Sequence, residues 1–137
     1  MSKNLLLIPD KIRQLRIRRG RSQRTVAERA DVSQSVLCAI ENGRRVAGLG
    51  QVERLGRVLA TGSEEIEQLK GLAAHDQIVE LVAQRYGEQS AELVSLVLQA
   101  KAALSEREMM KITSLIQECI TAKNLLENPR SELKMSP

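Results

Sequence analysis

The chain has 137 residues and a formal net charge of +4, with 42% apolar residues, one Tyr and neither Phe nor Trp. That length suits one average domain or two small ones, and the apolar content without a long polar tract excludes a disordered chain. Abundant Ala, Leu, Glu, Gln and Arg, with no Pro between Pro9 and Pro129, predict an all-α fold with a core of Leu, Val, Ile and Ala.

Leu5-Leu6-Leu7-Ile8 is too short for a signal-peptide core and lacks a following cleavage site, so it reads as an arm packed on the body or on a partner subunit. No apolar run approaches the roughly twenty residues of a membrane span, so a cytoplasmic protein without membrane contact is expected. Pro9-Asp10 opens a first helix with Ile8, Ile12 and Leu15 on one face, and Gly20 closes it. Ser22 can cap a second helix from Gln23, in which Val26, Ala27 and Ala30 share a face and small Ala27 allows a close crossing. Asp31 suits a left-handed turn, and Ser33 offers the next cap. From there Leu37 and Ile40 point inward with Val32, while Gln34, Ser35, Val36 and Ala39 lie outside, until Asn42-Gly43 stops the helix.

Leu49, Val52, Leu55, Val58 and Leu59 make a fourth apolar stripe, and Thr61-Gly62 breaks it. Ser63 is expected to cap a short fifth helix with Glu64 and Glu65 in its first turn. Further stretches follow: Ile78, Leu81, Val82 and Arg85-Tyr86 closed by Gly87, then Leu93, Leu96, Val97, Ala100 and Leu104. In the last, Ser105 and Glu108 form a capping box ahead of Met109, Ile112, Ile116, Cys119, Lys123 and Leu126 at heptad spacing. With fewer than three heptads and Lys123 on the seam, packing in a helical bundle is expected rather than a long coiled coil.

Residues 23 to 43 resemble the helix-turn-helix of the phage repressor and Cro class, the XRE family, and the likeness extends over residues 10 to 70. It rests on Gln23, Ala27, Val32-Ser33, Leu37, Ile40-Glu41-Asn42-Gly43 and the basic pair Arg44-Arg45. The resemblance implies a five-helix DNA-binding domain whose third helix lies in the major groove of duplex DNA. It places Gln34, Ser35 and Val36 against base edges, with Ala39 one turn on; Gln34 could pair with adenine and Val36 could pack on a thymine methyl. It puts Gln23, Ser33, Asn42 and Arg44 on phosphates, with Arg45 adding charge, and it pairs Arg16 with Glu41 as a structural link. Three positions depart from the pattern. Ala39 stands where Arg, Lys or Gln is common, which shifts weight to DNA shape; Arg21 replaces an apolar residue, and Asp31 a common Gly.

Charge is divided unevenly: residues 1–62 hold thirteen Lys or Arg against five Asp or Glu, and residues 63–137 hold eight against twelve. The basic half, with Lys11, Arg13, Arg16, Arg18, Arg19, Arg21, Arg24 and Arg29, suits a polyanion, although a solvated cationic face is the plain alternative. The lack of aromatic residues disfavours single-stranded nucleic acid. His75 is the one histidine and is expected at the surface near a helix boundary; Cys38 and Cys119 have no metal-ligand spacing and read as packing residues. No cofactor, no metal and no enzymatic activity are expected.

The domains expected are a helix-turn-helix domain with its arm over 1–74, a helical dimerisation region over 75–128 and a flexible tail over 129–137. Leu93, Leu96, Val97, Met109, Ile112, Ile116 and Cys119 are the candidates for the dimer contact, because their stripes are too broad for one small domain to cover. The function expected is a homodimeric bacterial or phage transcription regulator, a repressor on family grounds, bound to a pseudo-palindromic operator. The alternative is an antitoxin or other partner-binding protein whose C-terminal helices hold a second protein and whose DNA binding is autoregulatory.

Overall fold

A computed structural model describes residues 5–127, which fold into seven helices with no strand among them. They are α1 (Ile8–Arg18), α2 (Gln23–Ala30), α3 (Gln34–Glu41), α4 (Leu49–Leu59), α5 (Ser63–Tyr86), α6 (Glu88–Ala103) and α7 (Glu106–Glu127). The tail expected over 129–137 lies outside the described residues.

The first three helices end in the same way. The N–H groups of Gly20 and Arg21 return to the carbonyls of Ile17 and Arg16, those of Asp31 and Val32 to Glu28 and Ala27, and those of Gly43 and Arg44 to Ile40 and Ala39. These paired bonds satisfy the last carbonyls and require a left-handed residue after each helix, here Gly20, Asp31 and Gly43 at φ of 62°, 55° and 76°. Three sharp stops within 25 residues allow short helices to fold back around one core. That core joins Ile8, Ile12 and Leu15 of α1 to Val26 and Ala27 of α2, Leu37 and Ile40 of α3, Val52, Leu55 and Leu59 of α4, and Leu69 and Ala73 of α5. Gly56 lets α4 and α5 approach closely, since a Cβ there would stand 3.3 Å from Ile66.

The expected short fifth helix is instead a 24-residue one, in which Gly62 is the cap residue and Ser63 the first helical residue. It absorbs the stretch around Ile78 and Val82, because no Pro lies between Leu69 and Tyr86 and Gly71 keeps a helical backbone; Gly87, at φ 95°, ends it. The boundary expected between residues 74 and 75 therefore falls inside α5. The chain divides into two compact units, the first running up to Val97 and the second starting at Leu98, partway along α6.

Burial explains why the first unit extends so far. His75, expected at the surface, is 6% exposed, and Asp76 beside it is 1% exposed. The Asp76 carboxylate accepts hydrogen bonds from the backbone N–H groups of Leu7 (2.8 Å) and Ile8 (2.9 Å), while His75 Nδ1 lies 2.8 Å from Asp76 Oδ1 and Nε2 lies 2.8 Å from Ser95 Oγ. α1 has no local side-chain cap, so a carboxylate 69 residues away satisfies its first donors. The order Asp–His–Ser has the polarity of a hydrolytic triad, but Ser95 is 2% exposed and the three side chains are enclosed, so they act as structural ties.

In the second unit the Ser105–Glu108 capping box is complete. The Glu108 N–H donates to Ser105 Oγ (3.2 Å), and the Ser105 N–H and hydroxyl donate to Glu108 Oε1 (3.1 and 2.9 Å). These bonds hold the Glu108 carboxyl below its ordinary range. α7 that follows has no buried residue.

Replacing Asp76 with Ala leaves two α1 donors and the imidazole without their acceptor, and is expected to cost about 3 kcal/mol in urea unfolding followed by circular dichroism. A carboxyl with a lowered folded pKa stabilises above its ordinary range and loses that contribution as pH falls through the lowered one. Acidification should therefore fray the start of α7, seen as a lower protection factor of the Glu108 amide at each pH, and Glu108→Gln, whose amide needs no ionisation to accept these bonds, should lack that acid step.

Candidate nucleic-acid interface

Two eight-residue helices present the candidate surface. Ser22 caps α2 by accepting from the Thr25 N–H (3.1 Å), and Ser33 caps α3 by accepting from the Val36 N–H (3.2 Å). Between them Asp31 turns the chain in the left-handed conformation. Leu37 and Ile40 bury one face of α3 completely. On the opposite side Gln34 and Ser35 are exposed, and Ala39 and Cys38 are half-buried. Val36 is half-buried too and packs against the core, so only part of its apolar surface remains for a ligand. Gln23, the first residue of α2, is half-buried.

The carboxyl end of α3 is held from α1. Glu41 is 3% exposed, and its two carboxylate oxygens accept from Arg16 Nε (2.8 Å) and Nη2 (2.9 Å). Arg16 Nη1 donates to the Arg21 carbonyl (3.0 Å), and Arg13 donates to the Glu41 carbonyl. The hydrogen bond to Glu41 raises the Arg16 pKa above its already high ordinary value, so the charge persists at any working pH. A two-point guanidinium–carboxylate contact fixes angle as well as distance, which sets how α3 leaves the body of the domain.

Immediately after α3, Asn42 organises Arg44. Asn42 Oδ1 accepts from the Arg44 N–H (3.1 Å) and from Arg44 Nε (3.0 Å), while Asn42 Nδ2 lies 3.8 Å from Cys38 Sγ. Holding the guanidinium at Nε leaves both terminal nitrogens of Arg44 for an outside acceptor. Arg45 is exposed beside it. Ser33 Oγ is shared with Ser35 Oγ at 3.2 Å, so the two hydroxyls sit together at the start of α3.

The basic half offers less free charge than its composition implies. Arg18 meets Glu65 (2.6 Å), Arg19 donates to the carbonyls of Leu59 (3.1 Å) and Ala60 (2.8 Å), and Arg54 donates to the carbonyl of Ala30 (3.2 Å). Arg24 and Arg57 pair along their own helices with Glu28 and Glu53. Arg13, Arg16, Arg18 and Arg19 are thus ties between helices. Arg21, Arg29, Arg44 and Arg45 have no carboxylate partner among the described residues and carry the cationic character next to α2 and α3. The Arg16–Glu41 pair is the one that the family resemblance implies; the ties of Arg13, Arg18 and Arg19 could not be assigned from local sequence, because each partner lies 28 to 47 residues away.

The dimer candidates lie elsewhere in the chain. Leu93 and Leu96 on α6 are 61% and 63% exposed, Val97 is half-buried, Met109 and Ile112 on α7 are half-buried, and Ile116 and Cys119 are exposed. No helix among the described residues is long and apolar enough to cross a membrane.

Removing one member of a buried pair strands the other. Glu41→Ala is expected to cost about 3 to 4 kcal/mol, and the double variant Arg16→Met with Glu41→Leu to recover part of that loss, both read from urea unfolding.

Comparison with protein families matches residues 10–69 to the family described as a helix-turn-helix domain, whereas comparison with curated proteins and with solved structures found no match. The matched span starts within α1, takes in α2, the turn at Asp31 and α3, and ends at Leu69 of α5. Residues 10–69 of this chain are a helix-turn-helix domain, of the kind found in XRE-type regulators.

Proposed function

We propose that the chain is a sequence-specific regulator of transcription that binds double-stranded DNA as a homodimer, and that it acts as a repressor on a pseudo-palindromic operator. The observation that carries this reading is the division of α3, with Leu37 and Ile40 fully buried, Gln34 and Ser35 exposed on the other side, and the far end clamped by Arg16 and Glu41. A short helix held that firmly with a polar outer face suits entry into the major groove. Gln34 and Ser35 read base edges, and Val36 and Ala39 add limited apolar contact, which leaves DNA shape a share of the specificity. Gln23, Ser33, Asn42, Arg44 and Arg45 set the register on the phosphates, with Arg44 aimed by Asn42.

A dimer supplies the affinity that a few arginines on one copy cannot. α7 carries Glu106, Glu108, Glu118 and Glu127 against Arg107, Lys111 and Lys123, so it is no surface for a polyanion. Its exposed Met110, Leu115, Ile116 and Ile120 suit a protein partner, and a second copy is the simplest one for a two-fold operator. The reading places the protein in the cytoplasm of a bacterium or in a phage-infected cell, with no catalytic role. The same bare stripe also supports a second reading, in which α7 embraces a different protein and DNA binding is autoregulatory. Sedimentation of the purified protein separates the two: a dimer supports the first, and a monomer that gains mass only with a co-expressed partner supports the second.

Selection from a random duplex pool should yield a two-half-site sequence. Against it, Gln34→Ala is expected to relax preference at one base pair by about 1 to 3 kcal/mol, and Arg44→Ala to weaken all duplexes alike and reduce the salt slope by about one unit. If both variants lose only non-specific binding, α3 is not the reading helix. A chain ending at Val97 should fold as a monomer with weak binding, whereas one ending at residue 74 should unfold because it lacks Asp76.

A further inference from the structure

We propose that the buried His75–Asp76–Ser95 network is a joint through which the seating of α6 sets the position of α3. Within the first unit α6 contributes two buried residues, Ala91 and Ser95, and Ser95 Oγ meets His75 Nε2 at 2.8 Å. Asp76, as a carboxylate, can only accept, so the proton between it and His75 sits on Nδ1; in the neutral ring Nε2 then accepts from the Ser95 hydroxyl. The orientation of the imidazole therefore depends on what α6 places at Nε2.

Asp76 passes that dependence on to α1. Its oxygens hold the Leu7 and Ile8 N–H groups, and α1 has no side-chain cap of its own. α1 in turn carries Arg13 and Arg16, which grip the carbonyl and carboxylate of Glu41 at the end of α3. The path from Ser95 through His75 and Asp76 to the start of α1, and from Arg13 and Arg16 to Glu41, consists of buried or part-buried hydrogen bonds, with α1 itself as the rigid piece between them, and such groups cannot exchange a lost partner for water without cost. Any event that draws the Ser95 turn of α6 away loosens the cap of α1 and with it the clamp on α3. The consequence for DNA rests on the function proposed above, whereas the mechanical coupling does not.

The test uses the full-length protein and Ser95→Ala, which deletes one hydroxyl. Site-resolved amide hydrogen exchange without DNA should quicken on the order of tenfold at Leu7, Ile8, Gly43 and Arg44, while Val52 and Leu55 in α4 stay near wild type. The dissociation constant for a 30-base-pair random-sequence duplex, read by fluorescence anisotropy, should rise about fivefold. A uniform rise that includes α4, a rise confined to α5 and α6, or an unchanged dissociation constant overturns the proposal. Should the wild type bind no duplex, the proposed function fails and the exchange pattern alone decides the coupling.

Discussion

Glu41 is a carboxylate at the end of an eight-residue helix, out of reach of water, and it is stable there because Arg16 meets both of its oxygens. An unpaired charge in that position would cost several kcal/mol, so the pair acts as a constraint: the domain is intact only when α1 and α3 stand at one angle. Arg16 also closes the turn after α1 through the Arg21 carbonyl, and Arg13 holds the Glu41 carbonyl. The exposed face of α3 inherits its orientation from these contacts, as does the loop in which Asn42 aims Arg44.

The arginines of the first half show how composition and function can diverge. A net excess of cations over residues 1–62 suggests a broad attractive field, yet Arg13, Arg16 and Arg18 of α1, and Arg19 after them, are held by backbone carbonyls and buried or bridging carboxylates. The arginines next to α2 and α3 without a carboxylate are Arg21, Arg29, Arg44 and Arg45. A few placed charges orient a partner better than a diffuse field does, and they attract it less strongly. α7, by contrast, has no buried residue in its 22 and leaves Met110, Leu115, Ile116 and Ile120 exposed.

The extent of the first unit follows from the same economy of polar partners. α1 begins without a local cap, and the carboxylate that satisfies it belongs to the second half of α5. Once Asp76 and His75 are buried, α5 cannot end near residue 74, and Ser95 brings the first turns of α6 into the same body. The motif, α5 and the start of α6 therefore belong to one body.

Much of this was legible in the residues themselves. Apolar spacing and short-range chemistry place α1 to α4, since Ser22 and Ser33, like Ser105 later in the chain, cap donors three residues away and Gly20, Asp31 and Gly43 stop helices through contacts within about a turn. Interactions of that range are written in consecutive residues, so the all-helical fold and the helix-turn-helix could be read before any coordinates. The fate of His75 and Asp76, the unbroken length of α5 and the partners of Arg13, Arg18 and Arg19 could not be. The ties depend on partners 20 to 69 residues distant, brought within hydrogen-bonding distance only when the core closes, and burial turns a residue that reads as a surface histidine, together with Asp76 beside it, into a tie that joins α1, α5 and α6.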